Sequence, residues 1–446
     1  MKLYKRIYDK IFVNYPRIKD EVSEVVCSKI DTTMANDNYF LEKCYDSVRQ
    51  FDYFNTELLT VLEKSNKKKI LLVGFYGAPN LGDELMLETL FQYFDFEKVD
   101  VTVMLADNPD YNSSWFPKVK IIHYPKTQSD FNILAQAFDA VVFGGGAIID
   151  DKHYENKKSY RGDLGTIILD LSDRFIVWKK EIYVLGVSSN DKFLSDEYIE
   201  RLSNVIKNST YFSVRDKNSY DTINKYCKGI NSKSIKIVSD IVFANKNLVE
   251  FSNKSNEIKE IGIVWITSDD NIDSLKTLIS LLKDNYKIHL IPFYGYVDFD
   301  VNNYSELISL MDDNSDIVLE KLARNMNQLV EVFKKCDFLI SMRYHGVLVA
   351  NLLNLPNLSI CYDNHPHYMN KMDYLNKIFG VDNMLLASDL DLNNICKSMK
   401  SLYRVKKEVD LVKMKKNACE ELNKIIEKIS LKWVLLIFFL NLLIFI

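Results

Sequence analysis

A chain of 446 residues exceeds the size at which one hydrophobic core usually stops growing, so its length predicts two folded units. Its composition, 47% hydrophobic and 26% charged, is that of a globular protein and excludes a disordered one. The 57 Lys and Arg against 61 Asp and Glu give a net charge of -4, which excludes a global basic field for nucleic acid. The seven scattered cysteines, none in a CxxC pair, argue against a disulfide framework and a zinc site.

In chain order, the N-terminal MKLYKRIYDKIFVNYPRIKDE carries charges throughout and lacks the apolar core and cleavage site of a secretory signal, so a cytoplasmic location is expected. Residues 1–67 hold no Gly, and FDYFNTELLTVLEKSNKKK spaces its apolar residues helically, which predicts a helical preface. From Lys69 the texture changes to short apolar runs: KILLVGF, DVTVML, DAVVFG, EIYVLGV, TYFSV and SIKIV. Helical segments such as ELMLETLFQYF and SDEYIERLSNVIKN lie between them, and this alternation predicts a parallel sheet covered on both faces over 68–245. A polar stretch, 245–259, marks the expected boundary. EIGIVWI, KIHLIPF, DFLIS and NLSIC then repeat the architecture over 259–403.

Residues 404–446 form the last segment. Lys406, Lys407, Lys413, Lys415, Lys416, Lys424, Lys428 and Lys432 precede WVLLIFFLNLLIFI, which is apolar except at Asn441 and shorter than the ~20 residues of a spanning helix. The expectation is peripheral contact through 433–446 with the anionic inner face of the cell membrane; a terminal helix docked on the protein is the alternative.

Ligands of such sheets bind outside the carboxyl ends of the strands, where helices begin, and four motifs fall there. Asn80-Leu81-Gly82-Asp83-Glu84 opens a helix whose free N–H groups suit an anion or a ligand oxygen, or whose first turn is merely capped by Asn80 or Asp83. Gly144-Gly145-Gly146 either admits a ligand to the backbone or meets the steric demand of a turn. Ser213-Val214-Arg215-Asp216 places an arginine and a capping acid at another helix start, and Asp240 shares that ambiguity. Ser341-Met342-Arg343-Tyr344-His345 puts a guanidinium, which grips carboxylate or phosphate, two residues from an imidazole, which moves protons near neutral pH. The loop Tyr362-Asp363-Asn364-His365-Pro366-His367 adds two imidazoles without the further ligands of a metal site.

In this order, NLGDE, Gly-Gly-Gly, SVRD and SMRYHG resemble the polysaccharide pyruvyl transferase family over about 69–370. The resemblance implies an α/β fold of two Rossmann-like domains in a glycosyltransferase-B-like arrangement. It also implies transfer of pyruvate from phosphoenolpyruvate onto a sugar as a ketal, with no cofactor and no metal. His345 is then the general acid or base and Arg343 the grip on the donor. Asn80, Gly82, Asp83, Glu84, Gly144, Gly145, Gly146, Arg215, Asp216, Ser341 and His365 are the expected substrate-binding residues, and a lipid-linked glycan is an expected acceptor. Two positions depart from the family pattern: Ser188-Ser189-Asn190 replaces a Gly-Pro loop, and His365 stands in place of a lysine. A nucleotide-sugar glycosyltransferase and a non-catalytic glycan-binding protein are the competing readings.

Overall fold

The computed structural model describes residues 61, 65–78, 80–106, 119–125, 128–152, 154, 164–248, 257–267, 272–295, 299–311, 314–362, 366–404 and 410–444, with the backbone alone at 128–129, 366–367, 404 and 431–444. Nearly all of the expected preface, the middle of the expected boundary at 249–256, His365 and the side chains of the apolar tail lie outside the described residues.

The first apolar runs become β1 (Lys68–Val73), β2 (Val99–Leu105), β3 (Lys120–His123), β4 (Ala140–Gly144), β5 (Glu181–Val187), β6 (Tyr211–Val214) and β7 (Ile235–Ile237). They form one sheet in the order β3-β2-β1-β4-β5-β6-β7, parallel throughout. Its helices are α1 (Leu81–Phe91), α2 (Gln128–Ala137), α3 (Leu164–Val177), α4 (Asp196–Asn208) and α5 (Lys217–Tyr226). The α4 start matches the sequence: Ser195 accepts the Tyr198 N–H, a hydroxyl N-cap.

A second parallel sheet, β10-β9-β8-β11-β12-β13, contains β8 (Glu260–Val264), β9 (Lys287–Leu290), β10 (Ile317–Leu319), β11 (Phe338–Ser341), β12 (Asn357–Cys361) and β13 (Met384–Leu386). Its helices are α6 (Ile272–Leu282), α7 (Phe299–Ser309), α8 (Met326–Phe333), α9 (Tyr344–Leu352), α10 (Pro366–Ile378) and α11 (Leu392–Arg404). The fold is therefore α/β with two doubly wound sheets, as the sequence predicts.

Side chains of β1 alternate between faces, as the pleat requires. Leu71 and Val73 face one hydrophobic cluster. Ile70 and Leu72 face another, which continues through α1 into Val264, Ile291 and Phe293 of the second unit. The two sheets thus share an apolar core, reinforced by the Leu81 N–H donating to Phe293 O at 2.8 Å and the Met326 N–H to Glu88 at 2.8 Å.

The chain then returns. Helix α12 (Leu411–Ile444) buries Leu411, Ala418, Leu422, Ile426 and Ile429, at the three-, four- and seven-residue spacing of one helical face. That face meets the short 3-10 helix Ile241–Ala244 of the first unit, and Ile429 O accepts from the Lys68 side chain at 2.7 Å. Among the described residues, no helix is long and apolar enough to cross a membrane.

Candidate active site at the facing switch points

In an open parallel sheet the strand order reverses at one point, and the loops leaving the two strands there diverge to form a crevice. The first sheet reverses between β1 and β4, the second between β8 and β11. The loop after β1 carries NLGDE, that after β4 the three glycines, and that after β11 SMRYH. Topology alone therefore brings three of the four motifs to switch points.

The helix starts of α1 and α9 meet face to face. A Cβ built on Gly82 would lie 2.0 Å from His345 Nδ1, so only glycine lets the imidazole settle against α1. On its other side, His345 Nε2 stands 3.6 Å from the Asp240 carboxylate, and the ring lies edge-on to Tyr344, with centroids 5.2 Å apart.

Asp240 is itself fixed. It accepts the Val242 N–H at 3.0 Å as the cap of the 3-10 helix and the Arg215 Nη1–H at 2.6 Å. Burial opposes its charge, but Arg215 and His345 prevail and hold the carboxyl well below its usual range. The Arg215 guanidinium also lies over the Tyr344 ring, 4.5 Å from its centroid, a cation–π contact. The SVRD and SMRYH motifs thus touch directly.

Asp83 completes the group. It is 7% exposed, and a Cβ on Gly146 would lie 3.0 Å from its Oδ1. Burial lifts its carboxyl to about 6, against the pull of His345 and then Arg215. A pair of acids with opposed shifts, Asp83 up and Asp240 down, flanks one imidazole; such divergence is characteristic of sites that hold and move protons.

Arg343 stands beside this group, engaged with another carboxylate. Its Nη2–H donates to both oxygens of Asp300, at 3.1 and 3.0 Å. Asp300, fully buried, also accepts from the Phe293 and Tyr294 N–H groups and the Thr267 hydroxyl. Since Phe293 O receives the Leu81 N–H, Arg343 is linked through Asp300 to the start of α1.

Other predicted residues turn to local tasks. Asn80 occupies the N-cap position of α1 without a side-chain cap bond; it pairs as a bridge with Tyr294. Glu84 accepts the Gly77 N–H at 2.8 Å. Asp216 caps α5, accepting the Ser219 N–H and hydroxyl. Ser341 ties the turn by accepting the Arg343 N–H at 3.1 Å. Cβ atoms on Gly144 and Gly145 would meet the Tyr76 hydroxyl at 2.6 Å and Met86 Sδ at 2.3 Å. The steric reading therefore accounts for these two, since α1 packs directly on the turn, while Gly146 faces the Asp83 carboxylate.

The departing loop Ser188-Ser189-Asn190 is well anchored. Ser188 N–H donates to Gly146 O at 2.8 Å, Ser189 N–H to the Ser219 hydroxyl at 2.9 Å, and the Asn190 amide to Asp150. Sequence reasoning missed Asp300, which has no motif around it, and Lys371, a 6% exposed lysine on α10. The available signal for Lys371 was its position between Tyr368 and Met372 on an otherwise apolar helical face.

The comparisons agree with this architecture. The model for the polysaccharide pyruvyl transferase family matches residues 80–364. No curated protein sequence matches the chain. Among solved structures, UDP-GlcNAc 2-epimerase from Methanocaldococcus jannaschii superposes with a TM-score of 0.50 at 11% identity, over 81% of this chain and 99% of that one. MurG from Acinetobacter baumannii gives 0.44 at 9% identity, over 81% and 99%. Anabaena HepE in complex with UDP-glucose gives 0.47 at 11%, over 83% and 99%. The epimerase likeness shows fold alone, that of two Rossmann-like units in a glycosyltransferase-B-like arrangement. The family match covers more than half of the chain and every motif that builds the crevice: this chain belongs to the polysaccharide pyruvyl transferase family.

Proposed function

We propose that the protein transfers pyruvate from phosphoenolpyruvate to a sugar of a cell-surface polysaccharide, or of its lipid-linked precursor, as a ketal. The observation that carries this reading is the meeting of His345, Asp83, Asp240 and Arg215 between the two switch points of a chain in this family. The chemistry asks for these groups. A sugar hydroxyl adds to C2 of the enol phosphate while C3 takes a proton; phosphate then leaves C2 and a second hydroxyl closes the ketal. Of the two hydroxyl protons released, one balances the proton gained at C3 and the other departs with phosphate. His345 serves as the proton carrier, Asp240 orients its ring, and Arg215 and Arg343 bring positive charge to an anionic donor.

The test is incubation of the purified protein with phosphoenolpyruvate and a panel of synthetic and lipid-linked glycans. Phosphate release that requires the acceptor, with a matching mass gain on the sugar, is the expected result. Consumption of a nucleotide sugar in place of phosphoenolpyruvate would overturn the reading in favour of a glycosyltransferase, and no turnover of either in favour of a glycan-binding protein.

We further propose that α12 carries the enzyme to the membrane surface where such glycans are assembled. The exposed side of its described part presents Lys413, Lys416, Lys424 and Lys428, each lysine contributing ~1 kcal/mol near an anionic leaflet. The full chain is expected to cosediment with vesicles containing phosphatidylglycerol, and a chain ending at residue 430 to remain largely in the supernatant. Equal partition of the two would remove the tail from this role.

A further inference from the structure

We propose that Lys371 is an anion-binding residue of the donor site, its amine receiving the phosphate group beside Arg215. This deepens the function proposed above and rests on it.

The helix geometry places the lysine there. On α10, Met372 and Leu375 are fully buried and enter the core shared by the two sheets. One residue before Lys371, the Asn370 amide donates to Asp191 at 3.4 Å, fixing the helix against the loop after β5. One turn before it, the Tyr368 hydroxyl donates to Met342 O, fixing it against the SMRYH turn. Lys371 is held between these anchors, at the junction of both units.

A lysine is costly at such a place. It is 6% exposed and makes no ion pair or hydrogen bond with any described residue, where a methionine would pack without desolvation cost. The charged groups that face it are Arg215 and Asp216 at the start of α5, Asp191 after β5 and Asp150 after β4. Burial, and then the Arg215 charge, push the amine down to about 7, while the three acids pull the other way. The acids are occupied: Asp216 by Ser219, Asp191 by Asn218 and Asn370, Asp150 by Asn190. A buried amine with no carboxylate in hydrogen-bond contact, close to the Arg215 guanidinium, can take up a proton and a partner together when a doubly charged phosphate arrives.

The experiment measures binding of inorganic phosphate, and separately of phosphoenolpyruvate, to the full chain by titration calorimetry at pH 8 in buffers of different ionisation enthalpy. The wild type is expected to bind both saturably. It should take up about one proton more than Lys371→Met does, because the anion drives protonation of an amine that is otherwise mostly neutral at that pH. Lys371→Met should bind at least tenfold more weakly, with Lys371→Gln as the second variant should the first fail to fold. Lys371→Arg should retain binding but lose the extra proton uptake, a signature that a purely structural lysine would not give. Phosphate binding equal in wild type and Lys371→Met, or absent from the wild type, overturns the proposal. Lys371-dependent phosphate binding without consumption of phosphoenolpyruvate would leave this anion site standing and bring down the donor reading instead.

Discussion

Replacing His345 with alanine is expected to lower acceptor-dependent phosphate release by ~10²–10⁴-fold, the usual worth of a positioned proton carrier, while leaving a folded protein. The ring is a guest between elements that have their own reasons to stay put. Asp240 keeps its bonds to Val242 and Arg215, and α1 keeps its tie to Phe293. Gly82→Ala should produce a comparable loss with His345 still present, because its Cβ would fall 2.0 Å from Nδ1 and must displace the imidazole. Asp240→Asn keeps a side-chain acceptor for the Val242 N–H but removes the charge beside the ring. It also strips the buried Arg215 guanidinium of its carboxylate, so stability and kcat should fall together. A His345→Ala enzyme that works at the wild-type rate would sink the assignment.

Arg343→Ala is expected to damage stability and activity together. Asp300 is wholly buried, and removing its cation leaves three hydrogen-bond donors but an uncompensated charge. Breaking a buried pair in this way typically costs ~3–5 kcal/mol, with the remaining donors favouring the lower end. Arg343→Lys should recover only part of the loss, since a point charge does not reproduce a guanidinium that touches both carboxylate oxygens and lies 5.8 Å from the Tyr294 ring centroid. The double variant Arg343→Met with Asp300→Asn should regain most of the stability in urea denaturation. If phosphate release returns with it, Arg343 is a positioning residue; if release stays absent, the guanidinium meets the donor itself. Wild-type stability and rate in Arg343→Ala would contradict both.

The fold was legible where runs of apolar residues were long. KILLVGF, EIYVLGV and NLSIC all became buried strands, since a strand covered on both faces has little polar patterning. β3, β10 and β13, of four, three and three residues, escaped because such short edge strands carry too little pattern to stand out from a loop. The site divides in the same way. Arg343 and His345 sit in one motif, so their proximity to a strand end could be read directly. Asp300 lies 43 residues before Arg343, and only the sheet topology brings the two together. Local sequence likewise cannot distinguish a glycine that admits a ligand from one that admits a neighbouring side chain; at Gly144 and Gly145 a Cβ would meet Tyr76 and Met86.

The return of α12 to the first sheet has a consequence for how the protein is made. The face of Ile241–Ala244 that Leu422, Ile426 and Ile429 cover is translated roughly 180 residues before its cover. While the second unit is being synthesised at ~5–20 residues per second, the first therefore waits with an open apolar seam for about 9–36 seconds, a span in which chaperones have a defined surface to hold. Native assembly is consequently timed by the synthesis of α12 rather than by completion of the first sheet.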